Sequence, residues 1–126
     1  MSKTHFKASY SKGKYKINIG LSLYSWKDDD IYYIYSPALD ITGYGKTVEE
    51  ANKSFKITLD EFVTYTYNKN TIFDVLEQLG WTVNRKKKRV HAPDFEELIE
   101  DNQSFKDIIT KTNWVREKQN IELILD

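Results

Sequence analysis

From Lys14 onward the chain alternates. Tyr15, Ile17, Ile19, Leu21 and Leu23 face one way, and Lys16, Asn18, Ser22 and Tyr24 face the other. This period of two predicts a half-buried strand. Asp28-Asp29-Asp30 follows as a charged turn, and Ile31-Tyr32-Tyr33-Ile34-Tyr35 is a second strand, so the two form a hairpin. Pro37 ends it, and Ile41 to Tyr44 is a short third strand. The period then changes. Val48, Ala51, Phe55, Leu59 and Phe62 recur at three and four, which predicts an amphipathic helix from Val48 to about Tyr65. Lys53, Lys56, Asp60 and Glu61 take its other side. Tyr67-Asn68-Lys69-Asn70 breaks the helix. A short second helix starts at Thr71, with Ile72, Val75, Leu76 and Leu79 apolar and Gly80 as its C′ residue.

Trp81-Thr82-Val83-Asn84 and Arg89-Val90-His91-Ala92 then read as a hairpin around Arg85-Lys86-Lys87-Lys88. Pro93-Asp94 opens a helical stretch through Phe95, Leu98 and Ile99. After a break near Asn102 it resumes with Phe105, Ile108 and Ile109. Trp114-Val115 and Ile121 to Leu125 return to strand, and Met1 to Gly13 reads as a polar tail. Strands clustered around helices predict an α+β fold with a mainly antiparallel sheet. No repeat or long linker divides the chain, so one domain is expected over residues 1–126. A C-terminal extension or subdomain from about residue 81 is the alternative.

The passage Ser36 to Ala51 fixes most. Thr47 can act as N-cap by accepting from the N–H of Glu50, and the Glu50 side chain can return to the N–H of Thr47, which makes a capping box. Glu49 and Glu50 place negative charge where the helix dipole favours it. Gly43 and Gly45 are expected to ease a tight turn before the helix. Ile31 to about Ala51 resembles the HicB-like antitoxin family. The matching pieces are the strand before Pro37, the Pro37-Ala38-Leu39 turn, and Gly45-Lys46-Thr47-Val48-Glu49-Glu50-Ala51. With the preceding hairpin and the helix through Phe62, the resemblance covers roughly residues 15 to 65. Ile41 stands where the family usually has a glycine, and the chain from Gly80 does not look like the family's DNA-binding tails. The resemblance implies an antiparallel three-stranded sheet followed by an amphipathic helix, a β-β-β-α-β core that is often dimeric. It also implies an antitoxin that binds and masks a small ribonuclease toxin with a double-stranded-RNA-binding-like fold, sometimes with autorepression.

Composition narrows the field. Lys+Arg and Asp+Glu are 19 each among 126 residues, so nucleic-acid binding would need a local patch. There is no cysteine, which removes disulfides and thiolate metal sites and leaves a cytoplasmic location as the expectation. No apolar run approaches the ~20 residues of a membrane helix.

Five sets of residues could carry chemistry. Tyr24, Tyr32, Tyr33, Tyr35 and Tyr44 concentrate on the first three strands, with Tyr32 and Ile34 on one face and Ile31, Tyr33 and Tyr35 on the other. A strand apolar on both faces is covered on both. Its second cover is a partner, a dimer mate or the C-terminal segment, and the tyrosines are candidate partner-binding residues. Arg85, Lys86, Lys87, Lys88 and Arg89 could meet phosphates or an acidic surface, with a solvated turn as the alternative. Asp28-Asp29-Asp30 could be a cation site, but consecutive carboxylates converge poorly and a solvated turn explains them. His5 and His91 form no pair with a nucleophile, and two histidines without cysteine argue against a zinc site. Asp94, Glu96, Glu97, Glu100 and Asp101 sit where a helix start favours acids. Thr47 and Glu50 are structural. No catalytic residue, metal or cofactor is expected.

Overall fold

The computed structural model describes residues 9–11, 15–87 and 89–125, with side-chain environments for 19–87 and 89–120. Its strands are β1 (Ser9–Ser11), β2 (Tyr15–Asp28), β3 (Ile31–Ser36), β4 (Ile41–Gly45), β5 (Thr82–Asn84), β6 (Arg89–His91) and β7 (Val115–Leu125). Its helices are α1 (Val48–Asn68), α2 (Ile72–Gln78), α3 (Phe95–Asp101) and α4 (Gln103–Lys111). The fold is α+β, as expected. The main sheet has five strands in the order β1-β7-β2-β3-β4, and β5-β6 is a separate hairpin.

Two expectations need correction here. The sheet is not three-stranded: β7 pairs antiparallel with β2 from Ser25↔Val115 to Tyr15↔Leu125. The reason is length, because β2 carries fourteen residues and β3 covers only its last five. The rest of β2 needs another partner for its backbone groups, and β7 supplies it. Within the expected tail, Ser9–Ser11 form a strand, because β1 pairs parallel with β7 at Ser9↔Glu122; the rest of residues 1–13 lies outside the described residues.

The β2–β3 connection is a two-residue loop. Asp29 and Asp30 both have positive φ, 49° and 65°, which matches the type I′ turn that suits the twist of a hairpin. Aspartate tolerates this region better than most residues. Lys27 lies 3.8 Å from Asp30 across the turn.

The inner face of the sheet holds the larger core. Ile19, Leu21 and Leu23 of β2, Ile34 of β3 and Ile41 of β4 share one buried cluster with Ala51, Phe55, Leu59 and Val63 of α1, which lies over β4 and β3. Gly43 and Gly45 belong to this contact. Neither has positive φ, so the turn does not require them. A Cβ on Gly43 would overlap the backbone of Phe55, and one on Gly45 would run into Glu50 and Ala51. The two glycines let the helix lie directly on the strand, which is a different role from the tight turn that the sequence suggested.

The helix start also differs in one bond. Thr47 Oγ1 accepts from the N–H of Glu50 at 3.1 Å, as a cap should. Glu50 Oε2 instead accepts from the N–H of Lys46 at 2.8 Å. The side chain sits against Gly45 and reaches the next amide along, so the reciprocal box does not close on Thr47. Helix α1 continues to Asn68, three residues past the expected end, and stops where Asn70 takes a φ of 59°.

Helix α2 ends in a Schellman motif. Gly80 has a φ of 91°, its N–H donates to the carbonyl of Glu77, and the N–H of Trp81 donates to that of Leu76. Trp81 and Leu76 are both buried in the core. The Trp81 indole N–H donates to the carbonyl of Ala38 at 2.7 Å and so ties this corner to the turn after β3. Asp94 closes a capping box with Glu97 on α3.

Gly43→Ala should lower stability by about 1–3 kcal/mol, the usual range for an overpacked core. Gly20→Ala, whose Cβ would meet nothing nearer than Asn120 Oδ1 at 3.7 Å, should change it by less than about 0.5 kcal/mol. Urea denaturation midpoints test the pair. Replacing Asp29-Asp30 with Asn-Gly should raise the midpoint, because Gly removes the strain that a side chain feels at positive φ.

Candidate functional site

The five tyrosines do not form one surface. Cross-strand register places Tyr24 beside Tyr35 and Tyr33 beside both Trp26 and Tyr44, all on the outer face. Tyr32 pairs with Lys27 on the inner face, where the Lys27 ammonium lies 5.2 Å from the Tyr32 ring centre.

Tyr24 and Tyr35 are buried in a second, smaller core with Phe105 of α4. Phe105 meets Tyr24 edge-on at 4.8 Å, Tyr35 at 6.4 Å and Phe95 at 5.6 Å. Such ring pairs add to simple burial. The C-terminal segment is therefore the cover for this part of the outer face.

Tyr35 is also a hydrogen-bonding node. Its hydroxyl donates to Asp40 Oδ1 at 2.7 Å and accepts from Asn102 Nδ2 at 2.7 Å. Asn102 Oδ1 in turn accepts from the N–H of Phe105 at 3.0 Å and so caps α4. One side chain thus joins β3, the turn at Asp40 and the α3–α4 corner. Burial first, then the neighbouring Asp40 carboxylate, pushes the Tyr35 phenol well above its ordinary value. Burial raises the Tyr24 phenol too, partly opposed by a hydrogen bond with Arg116.

The remaining outer aromatics stay partly open. Trp26 and Tyr33 stack at 5.3 Å and 13°, and Tyr33 and Tyr44 lie 6.4 Å apart at 34°. These three rings make a ladder across β2, β3 and β4. Tyr44, at its end, is 63% exposed. Edge strand β4 does not offer its Tyr44 amide for pairing, because that N–H donates to Ser54 Oγ of α1 at 3.2 Å. The ladder therefore presents side chains rather than backbone. Beside it, Asp28, Asp29 and Asp30 are exposed. Under the same end of the sheet, on the inner face, a groove of about 260 Å³ runs between Val48 and Ala51 of α1 and Ser25, Ile34 and Val115. The β2–β3 end is thus incompletely covered on both faces. Trp26 was missing from the tyrosine set. Its alternation with Tyr24 was legible and could have found it.

The basic hairpin divides as well. Arg85 Nη2 contacts Asp74 Oδ1 at 2.6 Å and pairs with Glu77. These carboxylates, Asp74 first, hold its guanidinium above its ordinary value. Arg85 also lies 5.7 Å from the centre of the Phe73 ring. Its charge is neutralised on α2 rather than offered outward. Lys86, Lys87 and Arg89 are exposed, and Lys88 lies outside the described residues, as does His5. His91 is exposed on β6. Asp94, Glu96 and Glu97 occupy the capped start of α3, and Glu100 and Asp101 its end. Among the described residues, no cluster of three metal-ligating side chains occurs and no helix is long and apolar enough to cross a membrane.

Comparison with protein-family models, curated proteins and solved structures returned no match.

The Tyr35 geometry makes an alkaline prediction. A phenol held neutral in the fold ionises first in the unfolded chain, near pH 10. Stability should therefore be level below that pH and fall as pH rises above it. Tyr35→Phe should flatten the fall. Thermal unfolding followed from pH 8 to 11 on both proteins would show it; parallel curves would contradict the account.

Proposed function

We propose that this chain is a non-catalytic protein-binding module of the HicB-like antitoxin kind, which binds and masks a small ribonuclease toxin through the β2–β3 end of its sheet. The supporting observation is the ladder Trp26–Tyr33–Tyr44. Three neighbouring rings, Trp26 stacked on Tyr33 and Tyr44 tilted beside them, offer a broad apolar contact and have little rotamer freedom to lose on binding. Aromatic anchors of this type dominate protein interfaces.

The charge beside the ladder favours a basic partner. Asp28 pairs with Ile31 two positions beyond the Trp26↔Tyr33 pair, and Asp29 and Asp30 form the adjoining turn. Carboxylates at the rim attract a cationic surface, and an arginine over Trp26 or a tyrosine gains a cation–π contact. A ribonuclease that holds double-stranded RNA is cationic where it meets phosphate, so its active surface is the natural complement. The same carboxylates repel nucleic acid from the ladder. Binding of nucleic acid through the hairpin is the weaker reading, since Arg85 is occupied by Asp74 and Glu77.

A reading frame beside this chain's own should encode a small basic ribonuclease, and the two products should copurify. RNA cleavage should be suppressed by the native chain and restored by the double variant Trp26→Ala, Tyr44→Ala, with circular dichroism unchanged. Suppression undiminished by the double variant would refute the surface, and absence of any such neighbour would refute the antitoxin role.

A further inference from the structure

The outer face carries a second opening that shares no residue with the ladder. It is a groove of about 350 Å³ between the β2–β7 strands and the β6–α3 connection. That volume is at the small end of those that take a small-molecule ligand. Its two sides differ in chemistry.

The strand side is polar and cationic. Register aligns Tyr24 with Arg116, Ser22 with Lys118 and Gly20 with Asn120 on the outer face. Arg116 and Lys118 are two residues apart on one strand, so their side chains leave the same face about 7 Å apart. Arg116 lies beside the Tyr24 hydroxyl and favours the ionised form of that phenol. Gly20 has open space above its Cα, with Asn120 Oδ1 the nearest atom a Cβ would meet, at 3.7 Å. Glu117 and Gln119, which alternate with these residues, lie on the opposite face by the same register.

The other side is largely apolar, with His91 and Asp94 as its polar members. Pro37, Ala92, Pro93, Phe95 and Leu98 line it, and Phe95 is 42% exposed. The one carboxylate on the lining is Asp94. Its Oδ1 accepts from the N–H of Glu97 and so is held in the α3 cap.

We infer that this groove binds a small organic phosphate, with the phosphate on Arg116 and Lys118 and a flat apolar body against Phe95 and Pro93. A carboxylate has two oxygens and is served by one arginine. Here a forked guanidinium, an ammonium, the Ser22 hydroxyl and the Asn120 amide line one groove, which suits the three peripheral oxygens of a phosphate monoester. Gly20 leaves the floor clear for the body of the ligand to lie flat. The site is independent of the toxin-binding reading, because neither Trp26 nor Tyr44 lines it.

Phenyl phosphate is the probe, followed by amide chemical shifts of the full chain. Saturable shifts should appear at Gly20, Ser22 and Lys118. Inorganic phosphate and phenol, which carry the two halves of the probe, should each bind at least about tenfold more weakly. Arg116→Gln with Lys118→Gln should weaken phenyl phosphate by about tenfold or more, with the spectrum still dispersed. Should that variant unfold, Gly20→Leu fills the groove without altering charge and should abolish the shifts. The proposal is overturned by absence of saturable shifts, by inorganic phosphate binding as tightly as the ester, or by either folded variant binding as the native chain does.

Discussion

At Gly43 the backbone of β4 meets the backbone of α1 at Phe55 with no side chain between them. This close approach decides where everything else can go. It pins α1 over β4 and β3, so Phe55 and Leu59 enter the inner core fully buried. It also means that α1 does not extend over β2 and β7. Their inner face has to be closed by other parts: Leu76 of α2, Trp81 at its end, and Val83 and Val90 of the β5–β6 hairpin. The groove beside Val48 and Val115 is the place where that substitute cover stops.

The outer face is closed by a separate mechanism. Phe105 supplies the apolar plug over Tyr24 and Tyr35, and Asn102 aligns it through the Tyr35 hydroxyl. A buried phenol with both hydrogen-bonding roles filled leaves no polar group stranded. Because α3 and α4 are short, they cover only the middle of the face. Trp26, Tyr33 and Tyr44 are left open, and Arg116 and Lys118 are exposed in a groove of their own. The two candidate sites are thus what a small lid leaves uncovered.

Much of this was legible in the chain. The alternation at Ile19, Leu21 and Leu23, the three-four spacing from Val48, the Thr47 cap and Gly80 at the end of α2 each rest on local chemistry, and each appears where local chemistry puts it. What could not be read is long-range. Nothing near Val115 states that it pairs with Ser25, so the sheet's width was missed. The role of Gly43 depends on a helix twelve residues on. The tyrosines looked alike in sequence. Only the cross-strand register separates Tyr24 and Tyr35, which α4 buries, from Tyr33 and Tyr44, which it does not. Arg85 likewise reads as part of a cationic run until Asp74 and Glu77 are seen beside it.

The position of β7 between β1 and β2 has a consequence for synthesis. Ser25 waits roughly ninety residues for Val115, and at 5–20 residues per second that is on the order of 5–20 s on a ribosome. During that interval β2 has β3 on one side and an unsatisfied edge on the other. Contacts of such long sequence separation also form slowly once the chain is released. The early hairpin is therefore a species with a lifetime, open to pairing with its own copies, and a chaperone or a bound partner would act on it before the finished sheet exists.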